Sequence, residues 1–112
     1  MITEDDVTIL VAMNKIENGD EIKTSNITSW AIMKKIIPNG RDLENANAVH
    51  NLKKMNALGL VNLRVEEKSN KIKNIWTINK NNVKFKTLRF PDGKRRNVLF
   101  FILDKRRILI EI

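Results

Sequence analysis

The sequence predicts an α+β fold: three helices, then a two-stranded hairpin, then an additional C-terminal antiparallel meander of strands. Two observations carry this. Apolar residues recur every three or four positions up to about residue 58, and beyond it they alternate or cluster in short runs, a change from helical to strand period. Breakers sit where the elements should end: Gly19, Pro38-Asn39-Gly40, Gly59 and Pro91-Asp92-Gly93. A chain of 112 residues has room for one modest core. Residues 1–80 read as the main domain, and 81–112 as strands that pack on it or form a dimer interface.

Thr3 followed by Glu4, Asp5 and Asp6 is a helix start, a hydroxyl cap and then acids against the positive end of the helix dipole. Val7, Leu10, Val11, Met13 and Ile16 continue it to about residue 17. Glu21-Ile22-Lys23 allows one short extended stretch. Thr24 or Ser25 caps a second helix through Ile27, Trp30, Met33 and Ile36-Ile37, ended at Pro38. Asp42 opens the third helix, in which Ala48, Leu52 and Met55 share one face. Gly59 is suited to a left-handed cap leading straight into a strand.

Leu60–Val65 and Lys71–Ile78 are the hairpin strands, with Glu66–Asn70 as a polar turn. Val83–Phe90, Val98–Leu103 and Ile108–Ile112 are the remaining strands, separated by Pro91–Lys94 and Asp104–Arg107. Trp30 and Trp76 read as core residues.

Net charge is +8 and unevenly placed. Residues 1–57 hold seven Lys/Arg against eight Asp/Glu, and residues 58–112 hold 14 against five, so the halves carry −1 and +9. A split of this kind suggests that the second half meets phosphate. The alternative is a surface kept soluble by charge. The longest apolar run, Val98–Leu103, is far short of the roughly 20 residues a spanning helix needs. The acidic start is unlike a secretory leader, so an intracellular, cytoplasmic location is expected. The lack of cysteine excludes disulfides and thiolate sites. No cofactor and no metal site are expected. Asp92, Asp104 and Glu111 are the acids of the C-terminal strands, but no nucleophile–base pair or phosphate loop accompanies them, and an enzyme is not expected.

Three helices followed by a hairpin is the order of the winged helix-turn-helix. The run Ala48-Val49-His50-Asn51-Leu52-Lys53-Lys54-Met55-Asn56-Ala57-Leu58-Gly59-Leu60-Val61 resembles the recognition helix and exit of MarR- and ArsR-like regulators. Leu52, Met55 and Gly59-Leu60-Val61 match the apolar positions and the closing Gly-Leu-Val of that pattern. The resemblance covers about residues 3–80, and residues 81–112 have no counterpart in it. It implies a third helix in the major groove and a hairpin wing on the backbone or an adjacent groove.

On that reading Asn47, His50 and Lys54 lie opposite the apolar face, with Asn51 beside them, as candidate base contacts; a polar solvent face is the alternative. Lys53, Lys68, Lys71 and Lys73 are candidate backbone contacts, offset at the hairpin tip by Glu66 and Glu67. The basic turns Lys94-Arg95-Arg96 and Lys105-Arg106-Arg107 add phosphate or RNA contacts, or keep the aggregation-prone strand between them soluble. The apolar strand 98–103 needs both faces covered, which suggests a homodimer.

The expected function is double-stranded DNA binding in transcriptional regulation. The alternatives are a protein–protein interaction module of a larger assembly, touching RNA or protein, and a non-specific DNA-coating protein.

Overall fold

The computed structural model describes residues 1–16, 22–23 and 45–112. In chain order the elements are α1 (Glu4–Lys15), β1 (Ile22–Lys23), α2 (Asn45–Ala57), β2 (Val61–Lys68), β3 (Lys71–Ile78), β4 (Val83–Arg89), β5 (Arg95–Leu103) and β6 (Arg106–Glu111).

α1 begins where the cap residues demand. The Thr3 Oγ1 accepts from the Asp6 amide at 3.3 Å, and Asp6 Oδ2 accepts from the Thr3 amide at 2.8 Å, a reciprocal capping box. Ile9, Leu10, Ala12 and Met13 are fully buried and Val7, Val11 and Ile16 partly so. The helix is thus apolar around most of its circumference, as an element packed on several sides must be. It lies against α2 and β3, and grooves lined by Met13 with Val83 and by Val7 with Ile110 mark where β4 and β6 approach it.

α2 buries Ala48, Leu52 and Met55, the face expected from spacing. It ends in a Schellman motif: Leu60 N donates to Met55 O at 2.9 Å and Gly59 N to Asn56 O at 3.1 Å. Gly59 takes φ +78°, a conformation costly for residues with a Cβ.

The strands form two antiparallel three-stranded sheets, ordered β1-β3-β2 and β4-β5-β6. In the first, Val61 faces Ile78 and Leu63 faces Trp76, which faces Ile22 on its other side. In the second, Val83 faces Phe101, itself opposite Ile108, and Phe85 faces Leu99, itself opposite Ile110. The inward rows of β2 to β6, together with Ile9, Leu10, Met13, Leu52, Met55 and Leu60, make one continuous core. The hairpins turn through Ser69-Asn70 and Asp104-Lys105, each with positive φ at both residues, as tight two-residue turns matched to strand twist require.

This architecture overturns the expected winged helix-turn-helix of three helices and a wing. Among the described residues there are two helices, and 47% of the structure is strand in two sheets; only the broad α+β class stands. The helix expected over Ile27–Ile37, and Trp30 within it, lie outside the described residues. The physical reason is that 81–112 is not an addition to a completed domain, because Val83, Leu99 and Phe101 are buried in the same core as α1 and α2. The strand boundaries also move. β2 continues through Glu66, Glu67 and Lys68, which were expected in a turn, and β6 starts two residues before Ile108.

The joint between the sheets is polar. The Asn79 and Asn82 side-chain amides both donate to the Gly59 carbonyl at 2.9 Å, and the Asn79 amide donates to Leu60 O at 3.0 Å. The α2 exit and the start of the second sheet are therefore clamped to one another.

Candidate nucleic-acid interface

The exposed side of α2 carries His50 and Lys53, with Asn51 half-buried at its flank. Asn47 is in the first turns of the helix, and its side chain lies outside the described residues. Lys54 is elsewhere engaged. Its ammonium forms an ion pair with Asp6 and donates to the Met1 carbonyl at 3.1 Å. The Asp6 side chain is 0% exposed and that of Lys54 29%, and Asp6 Oδ1 has no hydrogen-bond partner. The ammonium is thus the counter-ion of a buried carboxylate, and Lys54 is withdrawn from the base-contact set. Helical spacing placed Lys54 opposite Leu52 correctly enough, but nothing in the sequence showed that α1 would cross there.

The hairpin of β2 and β3 has two unlike faces. Because opposite residues in an antiparallel pair share a face, Arg64, Glu66 and Lys68 lie with Lys71 and Lys73 on one side. Lys68 and Lys71 stand directly opposite one another, and Glu66 is opposite Lys73. Arg64 pairs with Glu66, and this hydrogen bond, outweighing a small desolvation, holds the Glu66 carboxyl below the usual carboxylate range, assisted by the charges of Arg64, Lys68 and Lys73. The tip therefore keeps a surplus of positive charge. The other face carries Trp76 and Ile78 at its root, then Val65 and Ile72, which are 57% and 70% exposed.

The basic triplets of the second sheet are separate. Nine residues of β5 lie between the turns, about 26 Å from first to last at roughly 3.3 Å per residue. Lys94 and Arg95 are exposed. Arg96 pairs with Asp92 and with Glu111 (3.3 Å), and stands over the Phe90 ring, 4.7 Å from its centroid. It acts as a brace for the turn rather than a free cation. The reading by residue type missed Lys84 and Lys86, which with Arg107 border a 210 Å³ cavity floored by Phe100 and Ile102 on the outer face of this sheet. The alternation of the two lysines with Phe85 was the available signal.

The outer face of β5 is less open than its apolar sequence implied. Val98 is fully buried, Phe100 and Ile102 partly so, and the Lys86 ammonium lies 5.8 Å from the Phe100 ring centroid. The apolar face on which a dimer is expected is thus closed at Val98 and partly open at Phe100 and Ile102.

Among the described residues no three His, Asp or Glu side chains are grouped to hold a metal ion, and no helix is long and apolar enough to cross a membrane. No family model, curated protein or solved structure matches the chain.

Proposed function

We propose that this protein binds double-stranded DNA, as a regulator, by gripping the phosphate backbone with the cationic face of the β2–β3 hairpin while the exposed side of α2 lies along a groove. The observation that carries the reading is the opposed Lys68 and Lys71 at the tip, beside Lys73. Like charges directly opposite on a sheet repel, and an anion between them converts that repulsion into two charge-assisted contacts. His50 and Lys53 are exposed on α2, and Lys94 and Arg95 on the second sheet, as further candidate contacts to the duplex. Backbone grip has more support than base reading, since Lys54 is occupied and Asn51 is half-buried.

The test is titration of random-sequence and selected duplexes at several salt concentrations. Affinity should fall steeply with salt, with a slope of about −0.9 per phosphate neutralised. Binding that is absent, or indifferent to salt, overturns the proposal. A specificity ratio near one would move it to sequence-independent coating.

A second reading, a protein-interaction module, is favoured by Val65 and Ile72, exposed on the opposite face of the same hairpin. Replacing both with Ser should leave DNA affinity unchanged and abolish capture of a protein partner.

A further inference from the structure

The two edges of the second sheet differ. The β4 edge carries Lys84 and Lys86 among its residues, a usual protection against strand addition. The β6 edge presents Ile108-Leu109-Ile110 with Arg107 before it and Glu111 after it, and Leu109 is 49% exposed. Ile112 N donates to Asn97 O at 2.9 Å. The alternation of an antiparallel ladder then turns the even-numbered peptide groups of β6 towards β5 and those of Arg107, Leu109 and Glu111 outward. Among the described residues nothing pairs with this edge.

We infer that β6 is the seam of a homodimer, paired antiparallel with β6 of a second copy about a twofold axis at Leu109. That register sets Leu109 against the partner's Leu109, Ile108 against the partner's Ile110, and Arg107 against the partner's Glu111. The outward peptide groups then meet as hydrogen-bonded pairs, and the two sheets become one of six strands. Glu111, which its own Arg96 already meets at 3.3 Å, is then shared with the partner's Arg107, and the match occurs twice by symmetry, an isologous contact in which one patch complements itself. Moving the register by two residues in either direction sets Arg107 against an apolar residue or beyond the strand end. A groove of about 510 Å³ runs beside β6, lined by Ile2, Glu4, Val7, Val11, Ile110 and Ile112 among others. The residues of the partner that face it are Ile108 and Arg106, an apolar side chain for the isoleucine and valine wall and a cation for Glu4. A second copy fits this edge better than a polyanion does, because Glu111 and Glu4 flank it.

Sedimentation equilibrium of the full chain, without nucleic acid, tests the inference. The protein should be dimeric. Arg107→Glu or Glu111→Arg should each raise the dimer dissociation constant about tenfold or more, through two like-charge oppositions, and the double exchange should restore it. A monomer at all concentrations overturns the inference, as do a dimer indifferent to these changes and a double exchange that restores nothing. Leu109→Cys supplies a readout independent of charge. In a hydrogen-bonded antiparallel pair the Cα atoms are about 5.5 Å apart, within disulfide reach, and the chain has no other cysteine. Mild oxidation should yield a covalent dimer at concentrations where the protein is dimeric, and its absence counts against the register. Failure here would leave DNA binding by the hairpin untouched.

Discussion

Both sheets have three antiparallel strands and a tight hairpin, yet they do different work. Among the described residues the first is packed at its root, where Val61, Leu63, Trp76 and Ile78 meet the helices, and its far half stands in solvent with Val65 and Ile72 exposed. The second buries one face along most of its length, from Phe85 and Leu99 to Phe101 and Ile108, and its opposite face is partly closed over Val98. The lesson is that a strand pattern does not say how much of a strand is core. The same alternation serves a projecting arm whose side chains are free to bind and a wall whose side chains hold the fold.

The largest effects should come from the root of each sheet. Trp76→Ala and Phe101→Ala should each cost about 3–5 kcal/mol in urea unfolding, whereas Ile72→Ala at the tip should cost less than about 0.5 kcal/mol. If the sheets share one core, Phe101→Ala keeps a single cooperative transition; two transitions would break the comparison by making the second sheet an independent unit. Next is Lys54→Ala, which leaves the buried Asp6 carboxylate without its counter-ion and should cost about 3 kcal/mol or more. Measured below its lowered melting temperature, DNA affinity should be unchanged; a loss of affinity with intact stability would return Lys54 to the interface.

Smaller is the joint. Asn82→Ala removes a hydrogen bond to Gly59 O and should cost about 1 kcal/mol, read as a shift in the urea midpoint with unchanged slope. The arm should respond in the opposite way to the wall. Lys68→Ala with Lys71→Ala should leave thermal stability equal or slightly higher, weaken DNA binding across all sequences, and reduce the salt slope by about 1.8, two phosphates' worth.

The smallest effect concerns Glu66, whose carboxyl is held below its ordinary value chiefly by Arg64. Its contribution is present above the unfolded-state value and lost as pH falls through the lowered folded-state value. In Arg64→Ala, an NMR titration of Glu66 should move upward towards the ordinary carboxylate range.

Much of the local structure was legible in the chain. Thr3 through Asp6 spelled a capped helix start, Ala48, Leu52 and Met55 marked a buried face, and Gly59 marked a left-handed cap. These are local effects, set by hydrogen bonds and periodicity within a few residues. The candidate interface was legible in part. Lys68, Lys71 and Lys73 share a face because register and pleat dictate it, whereas the fates of Lys54 and Arg96 depended on acids brought from elsewhere in the fold.

The sequence by itself determined the α+β class, the capped ends, the strand alternation and the excess of positive charge in its second half. Tertiary structure alone decided the rest. Packing on the main domain and a dimer interface were both open for residues 81–112, and only folding puts Val83, Leu99 and Phe101 in one core with the helices. It turned Lys54 inward, because a buried carboxylate needs a cation more than solvent does. It also made Asn79 and Asn82 a clamp, because only folding brings their amides to the one carbonyl at Gly59.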